Sequence, residues 1–212
     1  MCLSRLRDNI NTDNKGQNPQ IGSLMPQTAS ICVFCGARPG NAPEFVAAAE
    51  ALGTLLGTDG YRLVFGAGDG GIMGAVARAA ASAGAESLGV IPTHLLGFER
   101  KASDRHQVVI TENMHERKKV MFMNSDAIVV LPGGAGSLDE LFEVVTWRQL
   151  DLHAKPIFLV NVNGYWDPLL TLMSHIVDQG FADKSLLTYF STVPTIEALR
   201  PALRDALMAA TE

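Results

Sequence analysis

"DAIVVLPGGAGSLDE", residues 126–140, passes from a short apolar run through three glycines into a segment that opens on Ser137 and carries two carboxylates. The apolar run reads as a strand near 126–131, buried on both faces as in a parallel sheet. The segment after it reads as a helix over 137–150. Ser137 and Glu140 stand at the spacing of a capping box, in which each side chain satisfies a backbone N–H of the other residue. A single glycine would make the turn between them. Each extra one costs roughly 0.5–1 kcal/mol of chain entropy, so Gly133, Gly134 and Gly136 together mark a place where bare backbone is needed.

The same strand–turn–helix unit recurs outward in both directions. Apolar runs near 30–35, 61–65, 87–91, 106–111, 126–131 and 156–161 alternate with helical patterns near 43–57, 71–84, 113–124, 137–150 and 166–179. That alternation predicts a Rossmann-like, three-layer α/β/α fold with a mainly parallel sheet. The tail adds a strand-like "LLTYFSTV" and an amphipathic helix near 194–209, despite Pro201. Residues 1–28 are polar, rich in Asn, Gln and Gly, and without sustained period, so they read as a mobile arm before a single domain over 29–212.

The 212 residues are 47% hydrophobic with a net charge of −5, enough for one full α/β core and contrary to the basic footprint of a nucleic-acid binder. No run approaches the ~18–20 apolar residues that span a bilayer, and the first ten residues lack a signal peptide's apolar segment, so the expected address is cytoplasmic, away from membranes. Cys32 and Cys35 lie within an apolar strand, away from the helix start that would activate a thiolate. Together with Cys2 they read as structural thiols. His94, His106, His115, His153 and His175 are scattered, so no metal site is predicted.

In a doubly wound sheet, ligands bind beyond the C-terminal ends of the strands. Two glycine-rich loops fall there: "GAGDGGIMG" (66–74) and the 132–137 stretch, each able to present N–H groups to an anion at a helix start. Gly66, Gly68 and Gly71 satisfy the G-x-G-x-x-G of a dinucleotide site. However, the loop does not follow the first strand, and the one acidic candidate, Glu86, precedes its strand instead of ending it. A single phosphate fits better than a dinucleotide.

The helix "MHERKKVMFMN" sets Arg117 between Met114 and Met121 on an apolar stripe, where a buried guanidinium requires a carboxylate or a bound anion. Lys118 lies at the stripe's edge, and His115 and Lys119 fall on the wetter side. Glu140 is expected in the first turn of its helix, kept ionised by the macrodipole and suited to face positive charge developing at a sugar carbon. Glu143 and Trp147 share its face.

With "MHERK" (114–118) followed at the proper distance by "PGGAGSLDE" (132–140), the chain from about Ser30 to Ala182 resembles the LONELY GUY family of cytokinin-activating nucleoside-monophosphate phosphoribohydrolases. "ICVFCGARPG", "GVIPTHL" and "EVVTWRQLDLHAKPIFLVNVNGYWDPLL" fit the resemblance as well. It implies hydrolysis of the N-glycosidic bond of an adenosine 5′-monophosphate, often N6-substituted, to free base and ribose 5-phosphate, an AMP nucleosidase-like reaction without cofactor. It also implies a homodimer or larger assembly. Arg117 and Glu140 match the catalytic pair. Lys118, the segment Gly133, Gly134, Ala135, Gly136, Ser137, Leu138 and Asp139, and Thr146 match substrate-binding positions, and Glu99 matches a family glutamate by its distance before the arginine.

An older label for such proteins, lysine decarboxylase-like, does not suit a chain this short without a recognisable cofactor-lysine context. Three departures stand out. Ser137 replaces a threonine and keeps the hydroxyl; Asp69 brings a charge into the first glycine loop; Ala37 and Arg38 occupy positions where the family has small hydroxyl residues. The alternative is a carrier of a nucleotide or phosphate ligand, which would need the glycine loop but not Arg117 and Glu140 together.

Overall fold

The computed structural model describes residues 29–96 and 106–210. The expected arm, Cys2 and Glu99 lie outside them. Seven strands, β1 (Ser30–Phe34), β2 (Arg62–Phe65), β3 (Ser87–Pro92), β4 (His106–Thr111), β5 (Ala127–Val130), β6 (Ile157–Val160) and β7 (Ser191–Val193), form one sheet in the order β4-β3-β2-β1-β5-β6-β7. Every pairing is parallel. The helices are α1 (Pro43–Thr58), α2 (Gly71–Ser82), α3 (Met114–Met123), α4 (Ala135–Gln149), α5 (Asp167–Asp178) and α6 (Ile196–Ala209).

Burial follows from the alternation of the strands. In β1, Ile31 and Val33 face the core shared with α1, α2 and α6, while Cys32 and Phe34 face the core shared with α3, α4 and α5. β5 and β6 are buried along their whole length, which is why they read as continuous apolar runs. α1 and α2 meet almost backbone to backbone. A Cβ at Gly53 would lie 2.4 Å from the Val76 carbonyl oxygen, and one at Gly57 would lie 2.4 Å from the Ala83 Cβ.

Two expectations need correction. α4 starts at Ala135 with Gly134 as its N-cap and no side-chain cap bond, so Ser137 lies inside the first turn and the capping box does not form. The capping chemistry belongs to α3 instead. There the Asn113 side chain accepts from Glu116 N–H at 2.9 Å, and the Glu116 carboxylate accepts from Glu112 N–H at 2.7 Å. The strand expected across "LLTYFSTV" is confined to Ser191–Val193, preceded by a 3₁₀ turn at Lys184–Thr188. α6 runs through Pro201, whose ring lies on the exposed face, and is capped by Thr195.

The chain leaves β1 toward β4 on one side and returns to β5 on the other. The loops after β1 and β5 therefore part, opening a crevice at the topological switch point. Leu131 N–H to Phe34 O (2.9 Å) and Gly36 N–H to Pro132 O (3.0 Å) join the two strand ends at its floor.

Candidate active site

The crevice is a cavity of about 520 Å³ between the β1–α1 and β5–α4 loops, closed by the start of α2, by Met114 and Arg117 of α3, and by Tyr165. Of the expected catalytic and substrate-binding positions, Gly133, Gly134, Gly136, Ser137, Arg117 and Glu140 line it, as do the departures Ala37 and Arg38.

The three glycines of the second loop do different things. Gly133 is a packing glycine, since a Cβ there would fall 2.0 Å from Ser137 Oγ and 2.9 Å from the Gly36 nitrogen. Gly134 and Gly136 would meet nothing within 4 Å. Their missing side chains leave open a path from the cavity to the first turn of α4, where Ala135, Gly136 and Ser137 carry N–H groups without intrahelical acceptors. With the positive end of the helix dipole, these groups form an anion-binding surface.

Arg117 is 7% exposed and held on all sides. Its Nε donates to Val90 O at 3.0 Å and its Nη2 to Gly66 O at 3.0 Å, while Nη1 lies 4.0 Å from Glu140 Oε1. Gly66 is bare for this reason: a Cβ there would lie 1.6 Å from Nη2. The backbone carbonyls that hold the guanidinium, one inside β3 and one just after β2, are invisible in side-chain patterns.

Glu140 departs from its expected place and charge state. It sits in the second turn of α4, buried, and accepts no hydrogen bond from the described residues. Burial raises its carboxyl to about pH 7, outweighing the opposing pull of Arg117. The result is a carboxyl that changes charge near neutrality, 4.0 Å from a fixed cation, with its face to the cavity.

Lys118 lies elsewhere. Its Nζ is 2.9 Å from Asp139 and 3.1 Å from Glu143, so it ties α3 to α4 instead of lining the cavity. Asp139 is on the solvent side, Leu138 packs against the second core, and Ala135 and Thr146 are exposed outside the lining. Asp69 is exposed and is not among the residues that line the cavity, its carbonyl taking a bond from Arg78 at 2.9 Å.

Sequence reasoning did not single out Tyr165 and Phe45. The Tyr165 hydroxyl donates to Gly133 O at 2.6 Å, and its ring packs edge-on against Phe45 at 5.4 Å. The available signal was position, since Tyr165 follows β6, the strand beside β5. Cys32 and Cys35 are buried free thiols that desolvation keeps protonated. No group of three or more His, Cys, Asp or Glu suited to a metal occurs among the described residues.

A family model described as "Possible lysine decarboxylase" matches residues 73–203. The chain is 41% identical over 177 residues to a probable cytokinin riboside 5′-monophosphate phosphoribohydrolase of Oryza sativa subsp. japonica, covering 84% of this chain and 77% of that one. It is 39% identical over 175 residues to a cytokinin riboside 5′-monophosphate phosphoribohydrolase of Arabidopsis thaliana, covering 82% of each. Among solved structures, the molybdenum cofactor carrier protein of Chlamydomonas reinhardtii superposes with a TM-score of 0.65 at 20% identity, over 86% of this chain and 99% of that one. At that identity the likeness speaks for the fold alone.

Proposed function

Because the chain belongs to the LONELY GUY family of cytokinin riboside 5′-monophosphate phosphoribohydrolases, we propose that it is an N-glycosyl hydrolase that splits N6-substituted adenosine 5′-monophosphates into free base and ribose 5-phosphate. The observation that carries this reading is the buried Glu140 carboxyl beside Arg117, in the same cavity as the open glycine backbone of α4. The N–H groups at the start of α4 and the Ser137 hydroxyl take the 5′-phosphate. That fixes the ribose with its anomeric carbon toward Glu140.

As the glycosidic bond lengthens, positive charge grows at the anomeric carbon. An ionised Glu140 in a site shielded from water stabilises that charge far more than a solvated carboxylate would. Arg117, fixed by two carbonyls, holds Glu140 in place and favours its ionised form. Water then attacks the anomeric carbon and the departing base takes a proton. A carrier would need the phosphate surface but has no use for a carboxyl this costly to ionise.

Incubation with AMP and with isopentenyladenosine monophosphate, followed by chromatography, is expected to show base and ribose 5-phosphate and to rank the two substrates. Binding of both with cleavage of neither would favour the carrier. A homodimer or larger assembly is part of the proposal, supported by the exposed Met123, Leu150 and Leu152. A light-scattering mass of one chain would contradict it. A reducing, cytoplasmic address accords with the free thiols. Among the described residues no helix is long and apolar enough to cross a membrane.

A further inference from the structure

The proposed phosphate seat has a charge problem. On the cavity wall Arg117 faces Glu140, so with that carboxyl ionised the pair leaves no net positive side-chain charge before a substrate enters. A phosphate monoester brings roughly −1.5 to −2 more at pH 7. The helix terminus offers about half a positive charge, which does not balance it. Arg117 and Lys118 are both committed to protein partners.

Among the described residues, one cation on the cavity wall remains free. Arg38 lines the cavity from the β1–α1 loop, is exposed, and makes no hydrogen bond or ion pair with the described residues. Its loop is firmly placed: Gly36 donates to Pro132 O at 3.0 Å and accepts from Met73 N–H at 3.2 Å. A Cβ at Gly71 would lie 2.4 Å from the Ala37 carbonyl oxygen, so α2 seats the stretch from beneath. A long, flexible cation is thus mounted on a fixed base at the wall of a cavity whose other cation, Arg117, already faces Glu140.

We propose that Arg38 is the specificity-determining residue for the substrate's phosphate, the counter-charge that lets this site prefer nucleotides over nucleosides. This rests on the proposed reaction for the identity of the substrate but not for the anion. Arg38 closes over the 5′-phosphate held at α4, forming charge-assisted hydrogen bonds that a neutral sugar cannot receive.

Calorimetric binding of ribose 5-phosphate and of ribose to the full chain tests this, in the wild type and in Arg38→Ala and Arg38→Lys. Expected is a loss of roughly tenfold to hundredfold for ribose 5-phosphate in Arg38→Ala, partial recovery in Arg38→Lys, no change for ribose, and a shallower salt dependence in Arg38→Ala. With AMP, the loss should appear in KM more than in kcat. Ribose 5-phosphate binding equally to wild type and Arg38→Ala, or not at all to the wild type, overturns the inference. A wild type that binds ribose 5-phosphate through Arg38 yet cleaves no nucleotide breaks the proposed reaction and leaves the phosphate role standing.

Discussion

The two glycine-rich loops, residues 66–74 and 132–137, occupy equivalent places after parallel strands, yet their glycines exist for opposite reasons. In the first, three of the missing side chains are filled by the protein itself, Gly66 by the Arg117 guanidinium, Gly71 by the Ala37 carbonyl and Gly74 by the Asp69 carbonyl at 1.9 Å from where a Cβ would stand, while Gly70 would meet only an ordinary contact at 3.6 Å. In the second, Gly133 is filled in the same way, but Gly134 and Gly136 border empty space. Glycine spent on packing contributes to stability, whereas glycine left open inside a helix, as at Gly136, is a cost to the free protein that a bound ligand would offset. The first loop thus shapes the site from behind, through Arg117, and the second is the one proposed to meet the substrate.

The largest effect that could break this division comes from Glu140, one turn beyond the open loop. Glu140→Gln keeps the shape and loses the charge, so kcat is expected to fall by about 10²–10³-fold or more, by analogy with the loss of one electrostatic stabiliser. Stability should move the other way. The carboxyl is raised from about 4.5 to about 7 in the folded chain. Its contribution is therefore fully present below the unfolded value and lost as pH climbs through the folded one. At pH 8 the ionised form costs about 3 kcal/mol, so Glu140→Gln should melt higher than wild type there and equally at pH 4.5. For the same reason, wild-type kcat/KM should fall as pH drops through about 7. A variant that melts lower at pH 8 would show Arg117 to be the stronger influence on Glu140.

Next comes a pair of identical substitutions with opposite signs. In Gly74→Ala, the methyl meets backbone, which cannot step aside, and overpacking of this kind costs about 1–3 kcal/mol. Melting should drop by roughly 3–10 °C for a chain of this size. In Gly136→Ala, the methyl enters open space on a helix, where alanine is favoured by up to ~1 kcal/mol, so the free protein should melt at the same temperature or slightly higher. Its KM for nucleotide should nonetheless rise roughly tenfold, because the methyl takes room that the phosphate needs. Equal melting losses in both variants would erase the distinction between the loops.

What was legible in the sequence follows from the same physics. β1, β5 and β6 announced themselves because strands buried on both faces must be apolar throughout, and the helices because their apolar residues recur with the turn. Arg117 was found by its incongruity on an apolar stripe. Its partners were not, since Val90 and Gly66 contribute carbonyls that every residue possesses. Ser137 and Glu140 mimicked a capping box by spacing alone. Two residues of difference in where α4 begins turned the serine into a first-turn residue and the glutamate into a buried one. The charge state of Glu140 depended on that burial, which no local pattern encodes.

Tyr165 offers the finest test of how the open loop keeps its shape. Its hydroxyl holds the Gly133 carbonyl at 2.6 Å, and a planar trans peptide fixes the following N–H, that of Gly134, in the opposite direction. Gly133 is also wedged between Ser137 and Gly36, so the hydroxyl reinforces a position that packing already defines. Tyr165→Phe keeps the ring against Phe45 and removes one hydrogen bond at a part-exposed site, worth about 0.5–1.5 kcal/mol. Steady-state kinetics should show KM raised roughly twofold to tenfold and kcat affected less, with melting within about 4 °C of wild type. A fall in kcat at constant KM would instead place the hydroxyl with the reacting atoms, and the second loop would then owe its order to packing alone, unlike the first, whose Gly66 and Asp69 carbonyls are held by Arg117 and Arg78.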